Sequence, residues 1–149
     1  MGLNGTKIQV VRQPEGLDIS RLPLNILAVM AQLEMERKIP HRGKVPAGAV
    51  IRPGAEEVCF PWFSGCDLES ESISYCAEEI AILQSAHAGH YPIETICVAS
   101  ERKPFFSCSR CLDLLKEFGT KDSLAIYFVP STGDLFVFTL GEITSLRKE

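Results

Sequence analysis

The chain has 149 residues and a formal net charge of −4, and this length predicts one domain over residues 1–149 with a core of its own. The acidic balance disfavours a nucleic-acid partner, which would need clustered Lys and Arg, and it favours a small molecule. No run approaches the ~20 apolar residues of a membrane span and no leader is recognisable, so we expect a cytoplasmic protein whose six cysteines stay reduced.

The predicted elements begin with an arm over residues 1–18, which includes a short strand at Lys7–Val11. A helix follows, capped by Ser20, with Pro23 in its first turn and Pro40 at its end. Apolar spacing assigns this helix one buried face, formed by Leu22, Ile26, Val29, Met30 and Leu33.

Two short strands come next, AGAVIR (47–52) and EVCFPW (57–62), joined as a hairpin at Pro53-Gly54. The polar run SGCDLESES (64–72) is predicted to be a loop, and it leads into a helix that begins in SYCAEEIAIL (74–83) and stops near Gly89.

The remaining elements alternate between strand and helix. They are a buried strand at Thr95–Ala99, a helix at Ser109–Phe118, and the strands SLAIYFV (123–129) and LFVFTL (135–140). A strand, helix and strand in succession require a parallel crossover. The order α-β-β-α-β-α-β-β therefore predicts an α/β fold, a three-layer α/β/α sandwich around a five-stranded mixed sheet.

Cysteines and a glutamate occupy the starts of two successive predicted helices. Cys76 and Glu78 open one, and Cys108 and Cys111 open the next. Each motif is weak alone, because a C-x-x-C can be a redox motif, half of a zinc site or a pair of core cysteines. In a βαβ unit, however, ligands gather where strands end and helices begin. We therefore expect the three sulfurs to converge.

Three converging thiolates at helix N-termini suit a zinc ion. The partial positive charge of a helix start favours thiolate over thiol, and the thiolate is the form that binds metal. Three such ligands leave a tetrahedral zinc one open position, where bound water becomes acidic. Glu78, two residues after Cys76, is placed to shuttle a proton there. Inert core cysteines, a structural zinc site and a solvated Glu78 favoured by the helix dipole are the alternatives.

Four stretches of the chain resemble the cytidine deaminases, in the three-cysteine branch that also includes the blasticidin S deaminases. They are C-A-E (76–78), C-S-R-C (108–111), V-P-A-G-A (45–49) and G-C-D-L-E (65–69), and the shared element order runs from about residue 20 to 140. The resemblance implies that Cys76, Cys108 and Cys111 bind one Zn²⁺ per chain and that Glu78 is the catalytic acid and base.

The resemblance also implies a substrate site. Asp67 and Glu69 would hold the ribose hydroxyls, Ala77 would offer its backbone to the pyrimidine, and Val45 would stand in the pocket where relatives have a phenylalanine. The implied reaction converts a cytosine nucleoside to its uracil form with release of ammonia, in a homodimer or homotetramer. The alternatives are a modified or cationic nucleoside such as blasticidin S, or a zinc-bearing scaffold without activity.

Some positions depart from the family pattern. Ser107 replaces a proline, Asp67 an asparagine, and Glu79 an arginine that often follows C-A-E. A second carboxylate would add negative charge to the three thiolates, so we expect Glu79 to turn outward to solvent. Arg110 or Arg102 would then supply the missing positive charge.

Overall fold

The computed structural model describes residues 8–37, 46–52, 62–72, 74–101 and 108–147. The strands are β1 (Gln9–Arg12), β2 (Ala47–Arg52), β3 (Phe63–Cys66), β4 (Leu68–Glu69), β5 (Ser74–Tyr75), β6 (Ile93–Ser100), β7 (Gly119–Val129) and β8 (Asp134–Thr139). The α-helices are α1 (Leu24–Met35), α2 (Ala77–His87), α3 (Ser109–Phe118) and α4 (Leu140–Arg147). None of the helices in these ranges is both long and apolar enough to cross a membrane.

A mixed sheet of six strands forms the middle layer, in the order β1-β8-β7-β6-β2-β3. Strands β6 and β7 are parallel, as the predicted crossover requires, while β2 runs antiparallel to both β6 and β3. Helix α1 packs on one face, and α2, α3 and α4 pack on the other. The predicted three-layer α/β/α fold is confirmed.

The predicted number of five strands is wrong, because the arm contributes a sixth. Strand β1 pairs in parallel with β8. The side chains of Ile8 and Val10 pack against the core under α1, which gives this short strand enough apolar contact to join the sheet. Arg12 also bonds both carboxylate oxygens of Glu142 in α4, at 2.9 Å each.

The second hairpin strand lies later in the chain than predicted. Strand β3 falls in the polar run assigned to a loop, and it pairs with β2 from Gly48 opposite Cys66 to Ile51 opposite Phe63. Its glycine has a packing reason, because a Cβ on Gly65 would lie 2.9 Å from the carbonyl oxygen of Ala77 in α2. The predicted turn and residues 57–61 lie outside the described ranges.

The buried face of α1 differs in part from the predicted one. Leu22 and Met30 pack against the core as predicted, but the fully buried residues of the helix are others. The helix buries Leu27, Ala28, Ala31 and Gln32, whereas the side chains of Ile26 and Leu33 are 55% and 53% exposed. Alanines face the sheet because α1 lies very close to β2. Pro23 is also the N-cap of α1, and Ser20 lies in a separate 3₁₀ turn capped by Asp18.

Gly48 is the point of closest approach between α1 and β2. A Cβ there would collide with the backbone carbonyl of Ala31 and the backbone nitrogen of Met35. Because neither backbone atom can rotate away, we expect Gly48→Ala to lower the free energy of unfolding by about 3 kcal/mol. Urea denaturation measures the change.

A matched glycine provides the control. A Cβ on Gly141 in α4 would have its nearest neighbour at 3.5 Å, so Gly141→Ala is expected to unfold at the wild-type urea concentration or slightly above it. Equal midpoints for Gly48→Ala and wild type would contradict the close packing of α1 on β2.

Candidate metal centre

Two cysteines are the N-cap residues of neighbouring helices. Cys76 caps α2 and Cys108 caps α3, both with extended backbone, and Cys111 is the third residue of α3. The Cys108 Sγ accepts the backbone N–H of Cys111 at 3.4 Å. Helices α2 and α3 pack on the same face of the sheet. All three thiols therefore meet where the partial positive charges of two helix starts add together.

The three sulfurs have a spacing suited to one metal ion. Sγ of Cys76 lies 3.7 Å from Sγ of Cys108, which lies 3.3 Å from Sγ of Cys111. All three lie within 4.8 Å of one another, so this cluster could hold a metal ion. A tetrahedral zinc with bonds of about 2.3 Å would space its sulfurs about 3.8 Å apart. Small side-chain rotations bring the cluster to that spacing, and the donor set fits zinc.

The electrostatics of the cluster also favour a cation. Hydrogen bonding with Cys76, burial and the charge of Glu78 all raise the pKa of Cys111. Several negative groups cannot share a buried space unless a cation accompanies them. A divalent ion would permit all three thiols to be thiolates at neutral pH.

Glu78 is buried beside this cluster. It is the second residue of α2, only 1% exposed, and its Oε1 has no hydrogen-bond partner within the described residues. This burial rules out the alternative of a solvated glutamate that merely complements the helix dipole. A buried carboxylate oxygen without a partner is costly, and the cost is explained where a ligand completes its hydrogen bonding.

Asp67 binds the start of α2. It is 2% exposed, and its Oδ1 accepts the backbone N–H of Ala77 at 2.8 Å. Asp67 is therefore no ordinary loop charge, since its carboxylate satisfies one of the free N–H groups of the helix. The same bond engages the N–H of Ala77, and the carbonyl oxygen of this fully buried residue faces Gly65 in β3.

Glu69 lies next to the chain segment that enters α2. Strands β4 and β5 form a separate two-stranded ribbon that pairs Glu69 with Ser74. The Oε1 of Glu69 is buried, and it has no hydrogen-bond partner in the part of the chain that the structure describes. Of the remaining predictions, those for Val45, Arg102 and Ser107 fall outside the described residues.

The expectation that Glu79 turns outward is wrong. Glu79 is 7% exposed, and its Oε1 accepts both the backbone N–H of Cys76, at 3.3 Å, and the guanidinium of Arg110, at 2.9 Å. The charges of Glu79 and of the three cysteines raise the pKa of Arg110, which keeps its positive charge beside the cluster. The spacing of Cys76 and Glu79 is that of a capping box, a signal the sequence already contained.

Two further cysteines lie apart from the cluster. Cys97 is fully buried in the core under α1, and burial raises its pKa. Cys66, at the end of β3, is 8% exposed and has its pKa raised chiefly by burial. Both behave as small apolar residues.

Solved cytidine deaminases share the architecture of this chain. The enzyme from Burkholderia pseudomallei matches with a TM-score of 0.67 and 23% identity, over 79% of this chain and 93% of the other. The enzymes from Mycobacterium leprae and Mycobacterium tuberculosis each match with a TM-score of 0.61 and 18% identity. They cover 82% of this chain and 97% and 94% of their own. No protein-family model and no curated protein sequence matches the chain.

The likeness extends over nearly the whole length of these three enzymes, and the identities are low enough that it is a likeness of fold. It agrees with the resemblance noted in the cysteine and glutamate motifs. The chain therefore has the fold of the cytidine deaminases, with three cysteines that could hold a metal ion at the starts of α2 and α3.

Proposed function

We propose that this chain is a zinc-dependent hydrolytic deaminase that converts a cytosine nucleoside, or an analogue, to its uracil form with release of ammonia. The observation that carries the proposal is the buried carboxylate of Glu78 beside a three-cysteine cluster, with an oxygen that has no partner among the described residues. The fold shared with solved cytidine deaminases supports the same reaction.

In the proposed site Cys76, Cys108 and Cys111 hold one zinc ion. When bound, zinc supplies a Lewis acid that makes water acidic enough to act as a nucleophile near neutral pH. The thiolates and the two helix starts fix where that ion lies, and the burial of Cys111 limits access of bulk water to it.

Glu78 transfers protons in this proposal. Its carboxylate accepts one proton from the attacking water and donates it to N3 of the pyrimidine. It then moves the second proton of that water to the amino group, which leaves C4 as ammonia. Because Glu78 is 1% exposed, its proton is delivered to the ring rather than exchanged with bulk solvent.

Three residues are proposed to position the nucleoside. The buried Oε1 of Glu69 is an acceptor for a ribose hydroxyl, and Asp67, the second residue assigned to the ribose, also fixes the start of α2. The contact of the Ala77 backbone with the base is proposed from the family resemblance. Val45 stays assigned to the pocket by the family resemblance alone.

An analogue with positive charge is the second candidate substrate. The carboxylates of Asp67, Glu69 and Glu71 follow one another along the segment before α2, and a buried oxygen of Glu69 has no partner within the described ranges. This charge repels phosphate and favours a cation. A nucleoside such as blasticidin S would fit this charge.

We also propose that the protein is cytoplasmic and acts as a homodimer or homotetramer. The exposed apolar side chains of Ile26 and Leu33 on the outer face of α1 support association.

Zinc analysis and an ultraviolet assay together test the proposal. Elemental analysis of the purified chain is expected to find about one zinc per chain. Loss of the cytosine chromophore is expected with cytidine, deoxycytidine or blasticidin S, and not with cytidine monophosphate. Bound zinc without turnover of any of these nucleosides would favour the alternative of a zinc-bearing scaffold. A chain that binds no zinc would contradict both the proposed deaminase and the scaffold.

A further inference from the structure

Arg110 connects three elements around the cysteine cluster. It is the second residue of α3, between Cys108 and Cys111, and its guanidinium donates to Oε1 of Glu79 in α2 at 2.9 Å. The same nitrogen donates to the backbone carbonyl of Ser74 in β5 at 3.3 Å. One side chain therefore joins the start of α3 to the start of α2 and to the strand that precedes it.

Glu79 completes this connection from the other side. Its Oε1 accepts from Arg110 and from the backbone N–H of Cys76, so a single oxygen links the residue that caps α2 to the helix that carries Cys108 and Cys111. The side chain of Glu79 is 9% exposed and that of Arg110 is 59% exposed. A pair with one buried partner is held more firmly than a pair of two solvated side chains.

We infer that Glu79 and Arg110 are positioning residues that hold the sulfur of Cys76 in register with those of Cys108 and Cys111 for one metal ion. Neither residue needs to touch the metal, because each acts through the backbone of a cysteine-bearing helix start. From its position on α3, Arg110 also brings positive charge close to the three thiolates. Glu79, which at first looks like excess negative charge, is the group that holds this arginine in place. The inference rests on the proposed function only in taking zinc as the metal.

The electrostatic part of this argument follows from charge balance. Three thiolates around a divalent ion leave a net charge of about −1. A guanidinium within the same helix turn offsets that charge without supplying a ligand. Without Arg110, the buried carboxylate of Glu79 would lose its cation and would repel the thiolates next to it.

Zinc release from the purified full chain tests the inference. Arg110→Ala is expected to transfer zinc to a chromophoric chelator about 10- to 100-fold faster than wild type, the range typical of residues that orient metal ligands. Arg110→Lys keeps the positive charge but loses the planar guanidinium group. It is therefore expected to release zinc more slowly than Arg110→Ala and faster than wild type. Replacing zinc with Co²⁺ gives a second measurement, in which Arg110→Ala is expected to alter the thiolate-to-cobalt absorption bands.

The matched control is Arg37→Ala, which removes an arginine of similar exposure (54%) from an ion pair with Glu34 at 3.3 Å. It is expected to leave zinc release and the cobalt spectrum unchanged. Wild-type zinc release by Arg110→Ala would overturn the inference. If Arg110→Ala cannot be purified folded, Arg110→Lys and Glu79→Gln decide: faster zinc release by both supports positioning, and wild-type release by both overturns it.

Failure of the inference is distinguishable from failure of the proposed function. A chain that binds zinc but deaminates nothing would refute the function, and the zinc-release comparison would still apply to the positioning pair. If the wild-type chain deaminates its substrate and the Arg110→Ala variant releases zinc at the wild-type rate, only the inference is refuted.

Discussion

Glu78→Gln is expected to retain about one zinc per chain and to lower the turnover of a cytosine nucleoside by about 10²- to 10⁴-fold. Glutamine has nearly the same shape as glutamate but cannot accept and return a proton at neutral pH. Because Glu78 is 1% exposed and its Oε1 has no partner among the described residues, removing its charge should not destabilise the fold. Elemental analysis, the ultraviolet assay and a thermal melt measure the three quantities.

Glu117→Gln is the control for this change, since Glu117 is an exposed glutamate near the end of α3. It is expected to keep zinc, stability and turnover within about twofold of wild type. Wild-type turnover by Glu78→Gln would remove Glu78 from the proposed reaction. A large loss of zinc in the same variant would mean that the carboxylate acts on the metal site rather than on the proton.

Cys108→Ala is expected to reduce bound zinc from about one to below about 0.1 per chain and to abolish turnover, because two thiolates are too few to hold the ion. Cys108 is exposed, so truncation opens no core cavity and the fold should persist. Zinc content after gel filtration, with far-ultraviolet circular dichroism on the same sample, measures both effects.

Cys97→Ala is the matched cysteine control. Its sulfur is fully buried under α1, so the substitution is expected to cost about 1 kcal/mol of unfolding free energy while zinc stays bound. Full zinc retention by Cys108→Ala, or loss of zinc by Cys97→Ala, would contradict the assignment of the metal centre to the Cys76, Cys108 and Cys111 cluster.

The α2 and α3 helices show how much local sequence can predict. The helix predicted over Ser109–Phe118 has those bounds in the structure, and the helix that contains Glu78 begins directly after Cys76. Helix starts and buried strands depend on neighbours within a few residues, so spacing along the chain is sufficient to predict them. The same spacing put three sulfurs at adjoining helix starts.

Helix α4 is absent from the predicted elements, and strand β3 lies where a loop is predicted. Helix α4 begins with a capping box, in which Thr139 Oγ1 accepts the backbone N–H of Glu142 and the carboxylate of Glu142 accepts that of Thr139. The spacing of Thr139 and Glu142 in the sequence is that of a capping box. Strand β3 looks polar partly because a glycine, Gly65, is needed where α2 packs closely on it, and polarity alone predicted a loop.

The sequence by itself determined the α/β layering, the parallel crossover and the three cysteines at two helix starts, because each depends on periodicity or spacing over short distances. Only the tertiary structure decided which face of α1 is buried, since both faces are apolar and the close approach at Gly48 admits only the one with alanines. It alone also decided the partner of Glu79. Arg110 is 31 residues away along the chain, and the packing of α3 beside α2 brings the two charges within 2.9 Å.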